Sequence, residues 1–213
     1  MVDTKTCSPA LRGLRVDLSE GSAAHEELPA EIRRTILGGR GLGAFLLFGE
    51  RAYNVNPFAP SNPLILSIGP LTGTAAPSAG RYSLTSRSPL TGTIFDGNSG
   101  GGFGSALRRL DLDYLLVTGA CSEPSYLYVD DHEVRVLPAA DLWGLEVQAA
   151  LARIDGLHDP CEAIVIGPAG ERGVLFASVA ANRGRHVGRG GLGAVMGAKR
   201  LKALVLKPPD TAP

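Results

Sequence analysis

The chain has 213 residues, 44% of them hydrophobic and 20% charged, which suits one large globular domain or two small ones with a real core. Lysine plus arginine and aspartate plus glutamate both number 21, so zero net charge gives no electrostatic case for nucleic acid or an anionic membrane surface. Met1–Cys7 lacks a basic segment followed by an apolar one, and no stretch approaches roughly 18 consecutive apolar residues, so the reading is a soluble, cytoplasmic protein without a membrane span.

In chain order, Leu14–Leu18 begins an N-terminal hairpin with Glu20-Gly21 in its turn. Pro29 sits where a helix can start. Apolar spacing at Ile32, Ile36 and Leu37, resumed at Leu42, Phe45 and Leu46, predicts a helix interrupted by the glycines of 38–43. Pro63–Ile68 reads as a short buried strand and Arg81–Ser86 as a strand with one polar face. Ser125–Val129 and His132–Leu137 form a hairpin through Asp130-Asp131, and Val147–Ile154 is a short helix. Glu162–Ile166 and Gly173–Val179 are expected strands, and 208–213 a disordered Pro-rich tail after a domain over 1–207. Strands in runs with few helices indicate an α+β fold.

The 28 glycines are clustered, at 38–43, 97–104 and 184–193, and each cluster runs into helical apolar spacing. Gly101-Gly102-Phe103-Gly104-Ser105-Ala106-Leu107, then Leu112 and Leu115-Leu116-Val117, aligns without gaps on Gly190-Gly191-Leu192-Gly193-Ala194-Val195-Met196, then Leu201 and Leu204-Val205-Leu206. Upstream of each copy a strand ends in the same tripeptide, Ile68-Gly69-Pro70 and Ile166-Gly167-Pro168. The chain therefore reads as a diverged duplication, two pseudo-symmetric β-rich lobes in one globular unit.

Consecutive glycines before a helix let a ligand approach the backbone, and the free N–H groups there favour phosphate. Arg183, Arg185 and Arg189 crowd the third cluster, Arg40 lies in the first, and Arg81 and Arg87 precede the second. Guanidinium groups clamp phosphate bidentately. The plainer alternative is that glycine permits tight packing and the arginines are solvated; duplication with arginine beside both copies weighs against it. Gly188-Arg189-Gly190-Gly191-Leu192-Gly193 also satisfies the dinucleotide-binding pattern, but only 20 residues follow Gly193, too few for the rest of that unit. His25, His132 and His158 sit in polar surroundings and read as surface residues; His186 lies inside the third cluster. Cys7, Cys121 and Cys161 are isolated, which argues against a disulfide scaffold, a zinc site or a cluster held by this chain alone.

Gly38–Gly43, Ile68–Thr74, Ala79–Tyr82, Ser88–Gly92, Asn98–Gly101, Ile166–Glu171 and Gly188–Gly197 resemble, in this order, the N-terminal domain of the aldehyde:ferredoxin oxidoreductase family, over nearly the whole chain. The resemblance implies two similar β-rich repeats forming a base under tungsten (or molybdenum) bound by two pyranopterins. Arg81 then matches the arginine between one pterin and a [4Fe–4S] cluster. Asn98 and His186 match the positions whose backbone carbonyls hold the Mg²⁺ bridging the pterin phosphates, although family members have a small residue at the His186 position. Arg185 would pair with phosphate, and Ser99, Gly100, Gly101, Gly188, Arg189 and Gly190 would line the cofactor.

Family enzymes continue through further domains that supply the cluster cysteines and the acid/base residues of the pocket. The resemblance therefore implies a subunit or domain completed by a Cys-rich partner, oxidising aldehydes or related oxo substrates and passing electrons to ferredoxin. A split-gene fragment, a non-catalytic pterin-binding module and a homodimer stay open.

Overall fold

The computed structural model describes residues 10–209, the side chain of Arg183 excepted. Cys7 and the end of the expected tail lie outside them. The first repeat comprises β1 (Leu11–Asp17), β2 (Ser22–Leu28), α1 (Ala30–Thr35), α2 (Gly39–Gly49), β3 (Leu64–Ile68), β4 (Tyr82–Arg87), β5 (Ile94–Ser99), α3 (Phe103–Arg109) and β6 (Tyr114–Thr118). The second comprises β7 (Ser125–Asp130), β8 (Val134–Pro138), α4 (Val147–His158), β9 (Glu162–Val165), α5 (Pro168–Glu171), β10 (Val179–Ala181), β11 (Arg185–Val187), α6 (Leu192–Ala198) and β12 (Leu201–Lys207).

Each repeat forms a mixed six-stranded sheet, and the strand orders coincide: β2-β1-β6-β3-β4-β5 in the first, β8-β7-β12-β9-β10-β11 in the second. In each, the second and third strands pair in parallel, β1 with β6 and β7 with β12, and every other neighbour is antiparallel. Identical order and identical direction make the duplication read from the glycines a structural one, and the fold is α+β.

Side-chain alternation explains how the repeats join. On β6, Leu115 and Val117 face a core shared with Leu204 and Leu206 of β12, while Tyr114 and Leu116 face α2 and Val205 faces the layer that holds α4. The starts of α3 and α6 bury Phe103, Leu107, Leu192 and Met196 in the same shared core. The expected two lobes are thus two sheets closing one interior. Burial at roughly 25 cal/mol per Å² of apolar surface favours this over two separately exposed faces.

Two expectations are corrected, and one strand that no sequence reading covered is added. The helix predicted to break across 38–43 breaks only at Ile36–Gly38 and restarts at Gly39, because a side chain at Gly38 (φ 132°) would strike the Ile68 carbonyl. Residues 173–178 form a loop, with only Val179 reaching a strand, since the Ala177 carbonyl accepts from Gly193 N–H at 3.0 Å and so serves the start of α6. Ile94–Ser99 is a strand that Asp96, Gly97 and Asn98 disguise. Of the tail, Pro209 packs on Arg109, whose guanidinium donates to its carbonyl.

Candidate cofactor site at the seam between the repeats

The β5 and β11 edges meet. A Cβ on Gly97 would stand 2.5 Å from a Val187 methyl, so glycine is what lets the two edge strands touch. The second and third glycine clusters are brought face to face, although they lie about 90 residues apart in sequence.

At this seam Arg81 Nη1 donates to Asn98 Oδ1 at 2.7 Å. Asn98 and Ser99 pair with Ser83 and Tyr82 of β4, the strand that Arg81 leads; their side chains take opposite faces, Asn98 exposed and Ser99 buried. The Arg185 guanidinium lies over the next two residues: Nη1 is 3.2 Å from the place a Cβ on Gly100 would take, and Cδ is 3.2 Å from that of Gly101. Gly80 packs on the Gly101 carbonyl, with 2.6 Å left for a Cβ. Arg81, Asn98, Ser99, Gly100, Gly101 and Arg185 therefore form one continuous patch.

His186 and Gly188 continue it. His186 is exposed with Nδ1 3.4 Å from Ser178 Oγ, and Gly188 is exposed with no atom within 4 Å of a Cβ position, while its carbonyl lies toward Gly97. Arg189 is exposed at φ 62°. Gly190 is different. It is buried, its carbonyl accepts from Ser88 Oγ at 2.7 Å, and the Phe95 ring covers its Cα.

The helix starts do not face open space. The Glu162 carboxylate of β9 packs on Gly102 just before α3, with an oxygen 1.9 Å from where a Cβ would stand, and Gly191 before α6 is covered by the Leu175 carbonyl and Pro89. The protein thus covers both ends with its own oxygens, and the open backbone lies in the preceding loops. Glu162 gave no sequence signal because its neighbour belongs to the other repeat.

A cavity of about 200 Å³ opens beside Arg81, lined by Gly39, Gly69, Thr72, Tyr82, Ser83 and Asn98. Thr72 Oγ1 donates to the Arg81 carbonyl at 2.9 Å and Ser67 Oγ to the Gly39 carbonyl at 2.8 Å, tying loop, strand and helix start together. The Tyr82 phenol is pushed up by burial, with Ser99 opposing and Glu162 adding to the shift, so it stays protonated. Arg40 reaches Asp96 at 3.4 Å, whereas Arg87 turns away to the Tyr53 carbonyl.

Of the other residues weighed from sequence, His158 is not a plain surface group. Its Nε2 is 2.9 Å from Tyr126 Oη and its ring lies 4.7 Å from that of Tyr128. Cys121 is buried, and burial raises its thiol pKa. Burial and Asp155 push Cys161 up to about 12. Among the described residues, no group of three or more His, Cys, Asp or Glu could hold a metal ion, and no helix is long and apolar enough to cross a membrane.

Known proteins share this architecture. The description "Aldehyde ferredoxin oxidoreductase, N-terminal domain" matches residues 13–208. The tungsten-containing aldehyde ferredoxin oxidoreductase of Pyrococcus furiosus is 42% identical over 204 residues, covering 95% of this chain and 34% of the relative. The aliphatic sulfonate oxidoreductase, WOR-like subunit, of the same organism is 30% identical over 211 residues, covering 91% and 34%. Among solved structures, the active site complex BamBC of benzoyl coenzyme A reductase with 1,5-dienoyl-CoA superposes with a TM-score of 0.89 at 33% identity, over 92% of this chain and 30% of that one. The chain spans about one third of the length of these relatives. With nearly every described residue inside the matched range, the chain belongs to the aldehyde ferredoxin oxidoreductase family, as its N-terminal domain.

Proposed function

We propose that this chain is the cofactor-holding domain of a tungsten- or molybdenum-dependent oxidoreductase, with a bis-pyranopterin metal centre resting on the seam between the repeats. The observation that carries this reading is the patch where the Arg81–Asn98 pair, the Gly100-Gly101 backbone and the Arg185 guanidinium meet.

The residues fit such a group. Guanidinium donors at Arg81 and Arg185 suit phosphate and polar pterin edges. The empty side-chain space at Gly188 and the cavity beside Arg81 leave room that side chains would fill. In this reading Arg185 binds phosphate, and the backbone carbonyls of Asn98 and His186 hold Mg²⁺. Ser99, Gly100, Gly101, Gly188 and Arg189 line the cofactor. Gly190, buried under Phe95, sets the course of that loop from beneath. Neutral Tyr82 keeps the floor of the cavity free of added negative charge.

When bound, the metal–pterin group supplies two-electron redox chemistry at the substrate. The [4Fe–4S] cluster, its cysteines and the acid/base groups come from a partner subunit or domain, with ferredoxin accepting electrons in the cytoplasm. Relatives with this domain are named for aldehydes and for an aliphatic sulfonate. We therefore read the domain as the platform under the cofactor, with an aldehyde or related oxo compound as substrate.

The test is metal and pterin content of the chain co-expressed with its completing polypeptide. Arg185→Ala should weaken cofactor retention by about 2 kcal/mol, near thirtyfold, because a charge-assisted phosphate contact is lost. Arg153→Ala, an exposed change on α4, should leave it unchanged. Equal cofactor content in both variants, with the fold intact, would sink this placement.

A further inference from the structure

Gly102 follows Gly100 and Gly101 in the turn between β5 and α3, and its backbone, at φ −78° and ψ −22°, is open to any residue. Glycine is required there by a neighbour, not by conformation. The three atoms nearest a Cβ on Gly102 are the two carboxylate oxygens and the carboxyl carbon of Glu162, all too close to share the space. Gly191, which aligns with Gly102 in the second repeat, is different: its φ of 71° favours glycine, and a backbone carbonyl and Pro89 cover it. The match of Gly102 with Glu162 therefore belongs to the first repeat's turn alone. Arg185 covers the two preceding glycines, with Nη1 3.2 Å from the Cβ place on Gly100 and Cδ 3.2 Å from that on Gly101. Glu162 of β9 and Arg185 of β11 both come from the second repeat. Three consecutive glycines of one repeat are thus held against two charged side chains of the other, and the next residue, Phe103, is buried with its ring 5.3 Å from that of Tyr82.

We propose that Glu162 is a positioning residue for the cofactor: its carboxylate packs on Gly102 and holds the Gly100–Gly102 turn against Arg185, so that turn and guanidinium meet a phosphate in one fixed arrangement. The inference rests on the function proposed above. A run of three glycines has more conformational freedom than any other backbone, and a cofactor that had to order it would bind more weakly for doing so. Packing that orders the turn beforehand removes that loss from binding. The arginine side chain is long and flexible as well, and its contact with a phosphate is only as good as the surroundings that fix it. Glu162 acts through Gly102, and Phe103 anchors the far end of the turn in the shared core.

The two residues offer matched variants. The carboxylate is the mobile end of its side chain, and Gly102 has a conformation that alanine accepts, so Gly102→Ala should fold normally with the carboxylate pushed off the turn. Glu162→Ala removes the same contact from the other repeat. In the chain co-expressed with its completing polypeptide, each should weaken retention of metal and pterin about tenfold at an unchanged melting temperature. The double variant should lose no more than either single one, because one contact is removed in all three. Glu162→Gln keeps the shape on Gly102 and should hold retention within about twofold of the parent. Amide hydrogen exchange of Gly100–Gly102 in the same preparations should quicken in the two alanine variants and stay at the parent rate in Glu162→Gln. Retention lost in Arg185→Ala but kept in Glu162→Ala and Gly102→Ala overturns this inference and leaves the cofactor placement standing. Additive losses overturn it too, as does a Glu162→Gln no better than the alanine. Retention unchanged in every variant, Arg185→Ala included, strikes the cofactor placement on which the inference rests.

Discussion

The Phe95 ring lies so close over Gly190 that a Cβ on the glycine would stand 2.2 Å from its Cδ1. Phe95 belongs to the first repeat and Gly190 to the second, and Ser88 Oγ closes the contact from beneath at 2.7 Å. Gly190 is also left-handed, at φ 59°. Gly190→Ala should therefore cost about 2–4 kcal/mol, combining backbone strain with the displaced ring. Phe95→Leu in the same chain should recover part of that loss, a coupling that urea denaturation of the two single variants and the double variant measures. Independent, additive losses would mean that the contact does not govern the seam.

Asp113 anchors three parts of the first repeat. Its carboxylate accepts from Arg33 Nη2 at 2.7 Å, Arg108 Nη1 at 2.9 Å and Arg12 N–H at 3.0 Å, and its side chain is only 5% exposed. Asp113→Ala leaves two largely buried guanidinium groups without their anion. A loss of about 3–5 kcal/mol is expected, or roughly 10 °C in melting temperature for a chain of this size. A shift below a few degrees would show that water replaces the carboxylate.

Lys199 is buried at the junction, its Nζ donating to the carbonyls of Pro60 at 2.8 Å and Gly119 at 3.0 Å. Burial lowers its pKa to about 8, with Asp17 partly opposing the shift. The unfolded lysine titrates near 10.4, so between pH 8 and 10 the unfolded chain holds more protons than the folded one. Stability should rise across that window, by up to about 3 kcal/mol for this group. Lys199→Met should remove the rise, as calorimetry at several pH values would register. The same slope in both proteins would refute the assignment.

His158 behaves in the opposite part of the scale. Burial, helped by Lys207 and Arg135, lowers its pKa below the ordinary 6.5, so the folded state favours the neutral ring beside Tyr126. Its contribution is complete above the unfolded pKa and is lost as pH falls below it. Stability between pH 7 and 5 should decline less in His158→Gln than in the parent, and an NMR titration of the ring should report the lowered value directly. A ring titrating at or above 6.5 would contradict it.

The local signals that could be read without tertiary structure were periodicity and punctuation. The gapless alignment of Gly101–Val117 on Gly190–Leu206 announced two repeats, and the helix starts at Phe103 and Leu192 followed from it. Hydrophobic runs such as Leu64–Ile68 and Leu201–Lys207 are strands for the same local reason, since a short apolar run is stable only when buried on both faces. Family membership was legible too, because the clustered glycine motifs occur in a fixed order.

The use made of each glycine was decided by the tertiary structure alone. Gly188 and Gly190 stand two residues apart in one cluster, yet the first has open space around it and the second lies under Phe95. Gly102 stands next to Gly101 at the start of α3, yet the Glu162 carboxylate fills the space beside it. Glycine meets the same local requirement in each case, freedom from a side chain, and nothing in its own neighbourhood says whether ligand, ring or carboxylate fills the space. That neighbour arrives from the other repeat, Glu162 from β9 and Phe95 from the β5 edge, and only the closing of the two sheets brings it there.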